Sequence, residues 1–144
     1  HCIGVISAIP NPLIWYGGVA ASVYLLYRLI RGWITRQPIG PALSLPLLGL
    51  AVTYLPWLMF PDRTIFQFYT VVMMPFLVLA LTVTLRIIAG RREDPLPRRQ
   101  SGQRTVLIYL GVVVLVSAFF LPLWTGMSVP YDFWRLHNWL PGWV

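Results

Sequence analysis

Four runs of this chain contain no Asp, Glu, Lys or Arg: residues 2–27, 37–61, 64–85 and 105–131. Each can supply the roughly 20 apolar residues that carry a helix across a hydrocarbon core of about 30 Å. In lipid the backbone N–H and C=O groups find no water, so a run of this kind has to satisfy them within a helix. The reading is therefore an all-α membrane protein with spans near 12–30, 42–60, 66–88 and 105–124, followed by an outer tail, 125–144. Composition agrees: 58% of residues are hydrophobic and 10% are charged, against about 25% charged in a soluble domain. One cysteine, Cys2, excludes a disulfide framework. Soluble, disordered and disulfide-stapled classes all drop out.

Local signals fit these ends. Asn11 can cap the first helix with Pro12 at its first position, where a missing N–H costs nothing. Pro41 can open the second span, and Pro61 follows its end. Pro46, Pro56, Pro75 and Pro122 lie within or near the spans. Such prolines are tolerated in membranes when neighbours satisfy the freed carbonyls, and kinks are expected at Pro56 and Pro75. The chain opens at His1 with no basic segment and cleavage site before its first span; it reads as the C-terminal piece of a longer protein.

Arginine placement sets the expected orientation. Arg28, Arg31 and Arg36 follow the first span; Arg86, Arg91, Arg92, Arg98, Arg99 and Arg104 surround the third connection. Loops 31–41 and 89–104 are thus expected in the cytoplasm, with both ends of the chain outside a plasma membrane. Gly90–Arg104 reads as a polar, proline-containing surface loop. These nine arginines less Glu93 and Asp94 leave +7, the whole formal charge. The basicity is a topology signal and does not point to nucleic acid.

Sixteen of the 21 aromatic residues fall near the expected outer face, among them Trp57, Trp134 and Trp139. An aromatic belt would occupy both interfaces, so an outward site or docking surface is the competing reading. Between the second and third spans, Asp62 and Arg63 are the only charges, with Gln67 and Tyr69 just beyond. That turn is either a solvated hairpin, with Asp62 near a helix N-terminus, or an interfacial phosphate contact through the Arg63 fork. The tail Tyr131–Val144 suggests a short interfacial helix. Phe133, Leu136, His137 and Leu140 would share one face at helical spacing. His137 reads as a hydrogen-bonded interface residue rather than a catalyst. No metal cluster, nucleophile with a base or phosphate-cradling glycine loop is present in the sequence. The spans offer no buried acid or base, only Arg28 and Arg86 near their ends, which disfavours a transporter.

Several segments, in order, resemble a known family. They are Pro10-Asn11-Pro12-Leu13-Ile14-Trp15-Tyr16, then Tyr54-Leu55-Pro56-Trp57, Asp62-Arg63, Phe66-Gln67-Phe68-Tyr69 and Met74-Pro75-Phe76-Leu77. Trp134 and Trp139-Leu140-Pro141-Gly142-Trp143 complete the set. Together they resemble the C-terminal four-helix membrane region of bacterial (actinobacterial) protein O-mannosyltransferases. The resemblance implies a multi-span glycosyltransferase of the GT-C class. It implies transfer of mannose from polyprenyl-phosphate-mannose to Ser or Thr hydroxyls of exported proteins. The acidic catalytic residue would belong to the N-terminal half, so none is expected here, and neither cofactor nor metal is implied. Arg63 would contact the donor phosphate, with Gln67 and Tyr69 beside it. Implied partners are membrane lipid, the lipid-linked donor, the acceptor protein, the enzyme's N-terminal half and the secretion translocon. The alternative is a non-catalytic module that docks a partner on its aromatic outer face.

Overall fold

A computed structural model describes residues 2–3, 9–60 and 67–139. The element order is β1 (Cys2–Ile3), α1 (Pro12–Ile34), α2 (Pro41–Leu58), a 3₁₀ segment (Gln67–Met73), α3 (Met74–Ala89), α4 (Leu96–Trp124), β2 (Val129–Pro130) and α5 (Tyr131–Leu136). Among the described residues, four helical stretches are long and apolar enough to cross a membrane: Pro12–Ile34, Pro41–Leu58, Thr70–Ala89 and Leu96–Trp124. This is an all-α membrane fold, and the chain is that of a multi-pass membrane protein. Its surface says the same: Val23, Val52, Leu107 and Leu115 are each at least 63% exposed. In water, apolar surface of that extent would drive association; in lipid it is the appropriate solvent contact.

The chain divides into two compact units, one of residues 12–107 and the other of residues 1–11 with 108–144. In the first, α1 packs on α3 and α2 packs on both. Gly18 lies against Leu77, where an added Cβ would meet the Leu77 Cβ at 3.0 Å and its carbonyl oxygen at 3.2 Å. One to two turns further along, Ala21, Leu25 and Ala80 form the buried core, flanked by Tyr24, Leu43, Leu47, Val83 and Ile87. This order makes α1 and α3 parallel, with the start of α2 beside their C-terminal ends. Small residues at the contact let backbones approach, as membrane packing requires in the absence of a hydrophobic drive between helices. Gly49 repeats the device against the Phe76 ring, which would overlap any Cβ there.

Several boundaries differ from those expected. The connection read as 31–41 is shorter, because α1 runs to Ile34. It ends in a Schellman turn, with Arg36 N–H donating to Trp33 O (3.3 Å) and Gln37 N–H to Gly32 O (2.9 Å). Arg36 occupies the left-handed position there, at φ 53. The third span is not one α-helix from its start. Gln67–Met73 is 3₁₀, and Pro75 sits in the first turn of α3, where its missing N–H leaves no gap in the ladder. Pro46 and Pro56 lie inside a continuous α2, and Pro122 inside α4.

The largest correction concerns residues 89–104. The loop is short, and Leu96–Arg104 are helical, the first turns of α4. Three contacts explain it. Gly90 takes φ 86 and ends α3; Asp94 Oδ2 accepts from Arg91 N–H at 2.7 Å; and Arg98 Nη1 donates to Ile88 O at 3.1 Å. Gly102 is buried against the same Ile88 carbonyl. Arginine and glutamine are good helix formers, so once Pro97 is accommodated in the first turn the polar stretch continues as helix. At 29 residues, α4 is longer than the bilayer needs, and its polar start lies beyond the apolar part.

Candidate functional site: the aromatic cluster and the Arg63 turn

Arg63, with Asp62, lies outside the described residues. Gln67 and Tyr69 belong to the 3₁₀ segment Gln67–Met73, a conformation common where a helix meets strain or a hinge. Trp57 is half-buried in the last turn of α2, beside Met59 and Phe60, which are 75% and 60% exposed. These residues are in the first unit; Trp134, His137 and Trp139 are in the second.

The second unit is organised by long-range bonds to the C-terminal part of α4. Asn11 is buried, and its Nδ2 donates to Val113 O at 3.2 Å and to Ser117 Oγ at 2.8 Å. Trp124 Nε1 donates to Ile9 O at 2.7 Å. A two-residue antiparallel ribbon pairs Cys2 with Pro130 and Ile3 with Val129. Ile9, Phe120 and Leu123 form the buried centre, with Phe119, Trp124, Phe133 and Trp134 packed around it. Gly126, at φ 68, ends α4, and Met127 N–H returns to Pro122 O at 3.0 Å.

His137 closes this cluster. It is fully buried, its ring stacked on Phe119 at 3.8 Å and 14° and edge-on to Phe120 at 5.2 Å. Nδ1 lies 2.7 Å from Phe133 O and Nε2 lies 2.8 Å from Phe119 O. Carbonyl oxygens only accept, so a neutral ring satisfies one contact by donation and the protonated ring satisfies both. Pro122 deprives the Ala118 carbonyl of its helical donor, which interrupts the α4 ladder in the turn where His137 docks. Burial withdraws the imidazole from any substrate, and its role here is to pin α5 to α4.

The expected tail face is therefore corrected. Helix α5 ends at Leu136, and Leu136 is 61% exposed while its neighbour His137 is buried. Leu140 lies outside the described residues. The helix stops because the His137 ring turns into α4, and Pro141 would disfavour helix at the residue before it. Trp139 is half exposed, with Nε1 donating to Leu136 O at 2.9 Å and its ring edge-on to Phe120. Of the four buried side-chain polar atoms without a hydrogen-bond partner among the described residues, two lie in this tail: Trp134 Nε1, a donor, and Asn138 Oδ1, an acceptor. The sequence marked Trp134 as an outer aromatic but gave no sign that its N–H would be left over. Among the described residues, no three or more His, Cys, Asp or Glu side chains gather to hold a metal.

Comparison with known proteins now gives these features a context. The chain is 31% identical over 144 residues to the polyprenol-phosphate-mannose–protein mannosyltransferase of Mycolicibacterium smegmatis. It is 28% identical to the protein of that name in Mycobacterium tuberculosis and 27% identical to that in Corynebacterium glutamicum. Each match covers 99% of this chain and 26% of the relative, so the chain spans about a quarter of the length of the curated relatives it matches. No family model matches, and no solved structure matches. The resemblance carried by the motifs from Pro10 to Trp143 is thus shared with named proteins: along nearly its whole length, this chain is similar to the polyprenol-phosphate-mannose–protein mannosyltransferases of mycobacteria and corynebacteria.

Proposed function

We propose that this chain is part of a plasma-membrane mannosyltransferase that moves mannose from polyprenyl-phosphate-mannose to Ser or Thr hydroxyls of exported proteins. The observation that carries this reading is the shared name of relatives matching 99% of the chain. The chain's part is scaffold and lipid-donor groove. Its arginine-rich connections lie in the cytoplasm and both of its ends outside. The acidic catalytic residue comes from the enzyme's N-terminal half, and the acceptor arrives from the secretion translocon as an extended peptide.

The chemistry assigns Arg63 a task. As the bond from mannose C1 to the phosphate oxygen breaks, negative charge grows on the departing polyprenyl phosphate, while the acceptor hydroxyl oxygen forms the new bond to C1 and gives its proton to the acidic residue of the N-terminal half. A fixed guanidinium at the interface stabilises that charge and pairs phosphate oxygens bidentately. Gln67 and Tyr69 follow Arg63 closely in sequence and are its proposed hydrogen-bonding neighbours. Apolar helix surface such as Val52 and Leu55 suits the polyprenyl tail. Trp57 in the first unit and Trp134 and Trp139 in the second are residues of the aromatic outer face, whereas His137 is buried.

In the full-length enzyme, Arg63→Ala should lower mannose transfer by about a hundredfold, the usual effect of removing one charge-stabilising donor. Acceptor binding and yield of folded protein should stay as in the wild type. Transfer at the wild-type rate with an unchanged KM for the lipid donor would remove Arg63 from the site. A second reading, a non-catalytic module that docks a partner, is favoured by the exposed aromatic side chains Tyr131 and Trp139 of the tail. Loss of a co-purifying subunit on Trp139→Ala, with transfer unaltered, would support it.

A further inference from the structure

The C-terminal end of α1 carries a cavity to which the proposed transfer reaction gives no role. Its volume is about 440 Å³, and its wall includes Tyr24, Tyr27, Arg28, Arg31, Ile39 and Leu43. The Schellman turn at Arg36 creates it by folding Gln37–Ile39 back along the helix. Ile39 Cγ1 then lies 3.4 Å from where a Gly32 Cβ would stand. The sequence Tyr24-Leu25-Leu26-Tyr27-Arg28-Leu29-Ile30-Arg31 places each arginine one turn after a tyrosine. Arg28 Nη1 donates to Tyr24 Oη at 3.1 Å, with its guanidinium carbon 5.9 Å from the ring centre. Arg31 Nη1 donates to Tyr27 Oη at 3.4 Å. Each phenol oxygen thus accepts from an arginine, leaving its own O–H to donate elsewhere. Among the described residues, no acidic side chain lines the cavity. The Thr35 hydroxyl is already spent on Arg31 O at 2.8 Å.

Two guanidinia and two phenol hydroxyls, with an aliphatic wall from Ile39 and Leu43, match one ligand chemistry: a phosphate joined to an apolar body. Depth agrees. At 1.5 Å per residue, Arg28 and Arg31 stand about 24 and 29 Å along α1 from Pro12, just inside the far edge of a core of about 30 Å, from where long arginine side chains reach the headgroups. Trp33 and Ile34, 76% and 69% exposed, flank the site as apolar surface. We infer that this cavity binds the phosphate of an anionic membrane phospholipid. The bound lipid holds the end of α1 against α2 and is distinct from the lipid-linked sugar.

The test titrates the full-length protein in neutral detergent with short-chain phosphatidylglycerol, phosphatidylcholine or inorganic phosphate, and reads bound ligand by native mass spectrometry. Phosphatidylglycerol should bind in preference to both others, since the choline cation repels the arginines and free phosphate lacks the apolar body. The Arg28→Gln, Arg31→Gln double variant should lose about thirtyfold in affinity, roughly fivefold for each basic residue. Arg92→Gln with Arg104→Gln removes equal charge and should leave binding nearly unchanged. Should the first pair fail to fold, Tyr24→Phe with Tyr27→Phe keeps ring and charge and should still weaken binding severalfold. Equal binding of the two lipids, equal loss in the Arg92/Arg104 pair, no loss in the tyrosine pair, or free phosphate bound as tightly as phosphatidylglycerol would each overturn the inference.

Discussion

Helices α1 and α4 end in the same backbone motif with opposite results. At the end of α4, Gly126 takes the left-handed position without strain, and the chain returns into a cluster closed by aromatic rings and buried His137. At the end of α1, Arg36 takes that position at φ 53, and the returning chain leaves a cavity rimmed by arginines. The difference is one of what can fill space. Neutral rings gain from contact and from offset or edge-on geometry, so they pack until His137 is sealed between two carbonyls. Like charges cannot be packed together, because each pays for desolvation with no opposite charge in return. They stay at the rim and leave room for an anion.

The sharpest way to break the closed end is through His137. His137→Ala removes the stacked ring and both carbonyl contacts, and should cost about 3 kcal/mol in the stability of this unit. Denaturant melts and faster proteolysis of the tail after Trp124 would register it. His137→Phe keeps the ring volume but loses the ring-nitrogen contacts with the Phe119 and Phe133 carbonyls, so it should recover only part of the loss. Near-complete rescue by Phe would mean that packing alone closes this end.

Asn11→Ala comes next. It loses the bonds to Val113 O and Ser117 Oγ, at about 2 kcal/mol for two buried contacts. A cysteine pair at positions 11 and 117 should crosslink readily in the otherwise wild-type protein. On the arginine side, Gly102→Ala forces a methyl against the Ile88 carbonyl, and should cost about 1–3 kcal/mol as overpacking does. Increased protease access near Pro95 would report it.

The smallest effects compare the two helix ends directly. Arg36→Gly should stabilise the first unit by about 1 kcal/mol, since glycine takes the left-handed position freely. Gly126→Ala should destabilise the second by about the same amount. If Arg36→Gly is destabilising, the Arg36 side chain makes a compensating interaction that outweighs its backbone strain.

The four spans were legible because membrane insertion is a local sum: about 20 consecutive residues decide it, whatever they later touch. The gathering of charge was legible for the same reason. What the sequence could not show rests on partners far away along the chain. Asn11 was readable as a helix cap, but its bonds to residues 102 and 106 positions later were not. Leu96–Arg104 looked like loop by polarity, and became helix because Ile88 O offered both a hydrogen-bond acceptor and a surface for Gly102. The tail looked amphipathic at helical spacing, and ended at Leu136 because His137 found the Phe119 carbonyl in a turn loosened by Pro122. The Tyr24–Arg31 pattern read only as charge placement until the turn at Arg36 folded a wall over it.

By itself, then, the sequence determined that this chain crosses a membrane four times, where its charges gather, and which family it resembles. Tertiary structure alone decided that His137 is a buried fastener, that Trp134 and Asn138 each keep an unspent polar atom, and that Arg28 and Arg31 line a cavity. The physical reason is that hydropathy adds up residue by residue. Hydrogen-bond satisfaction and cavity shape exist only between segments that the fold has brought together.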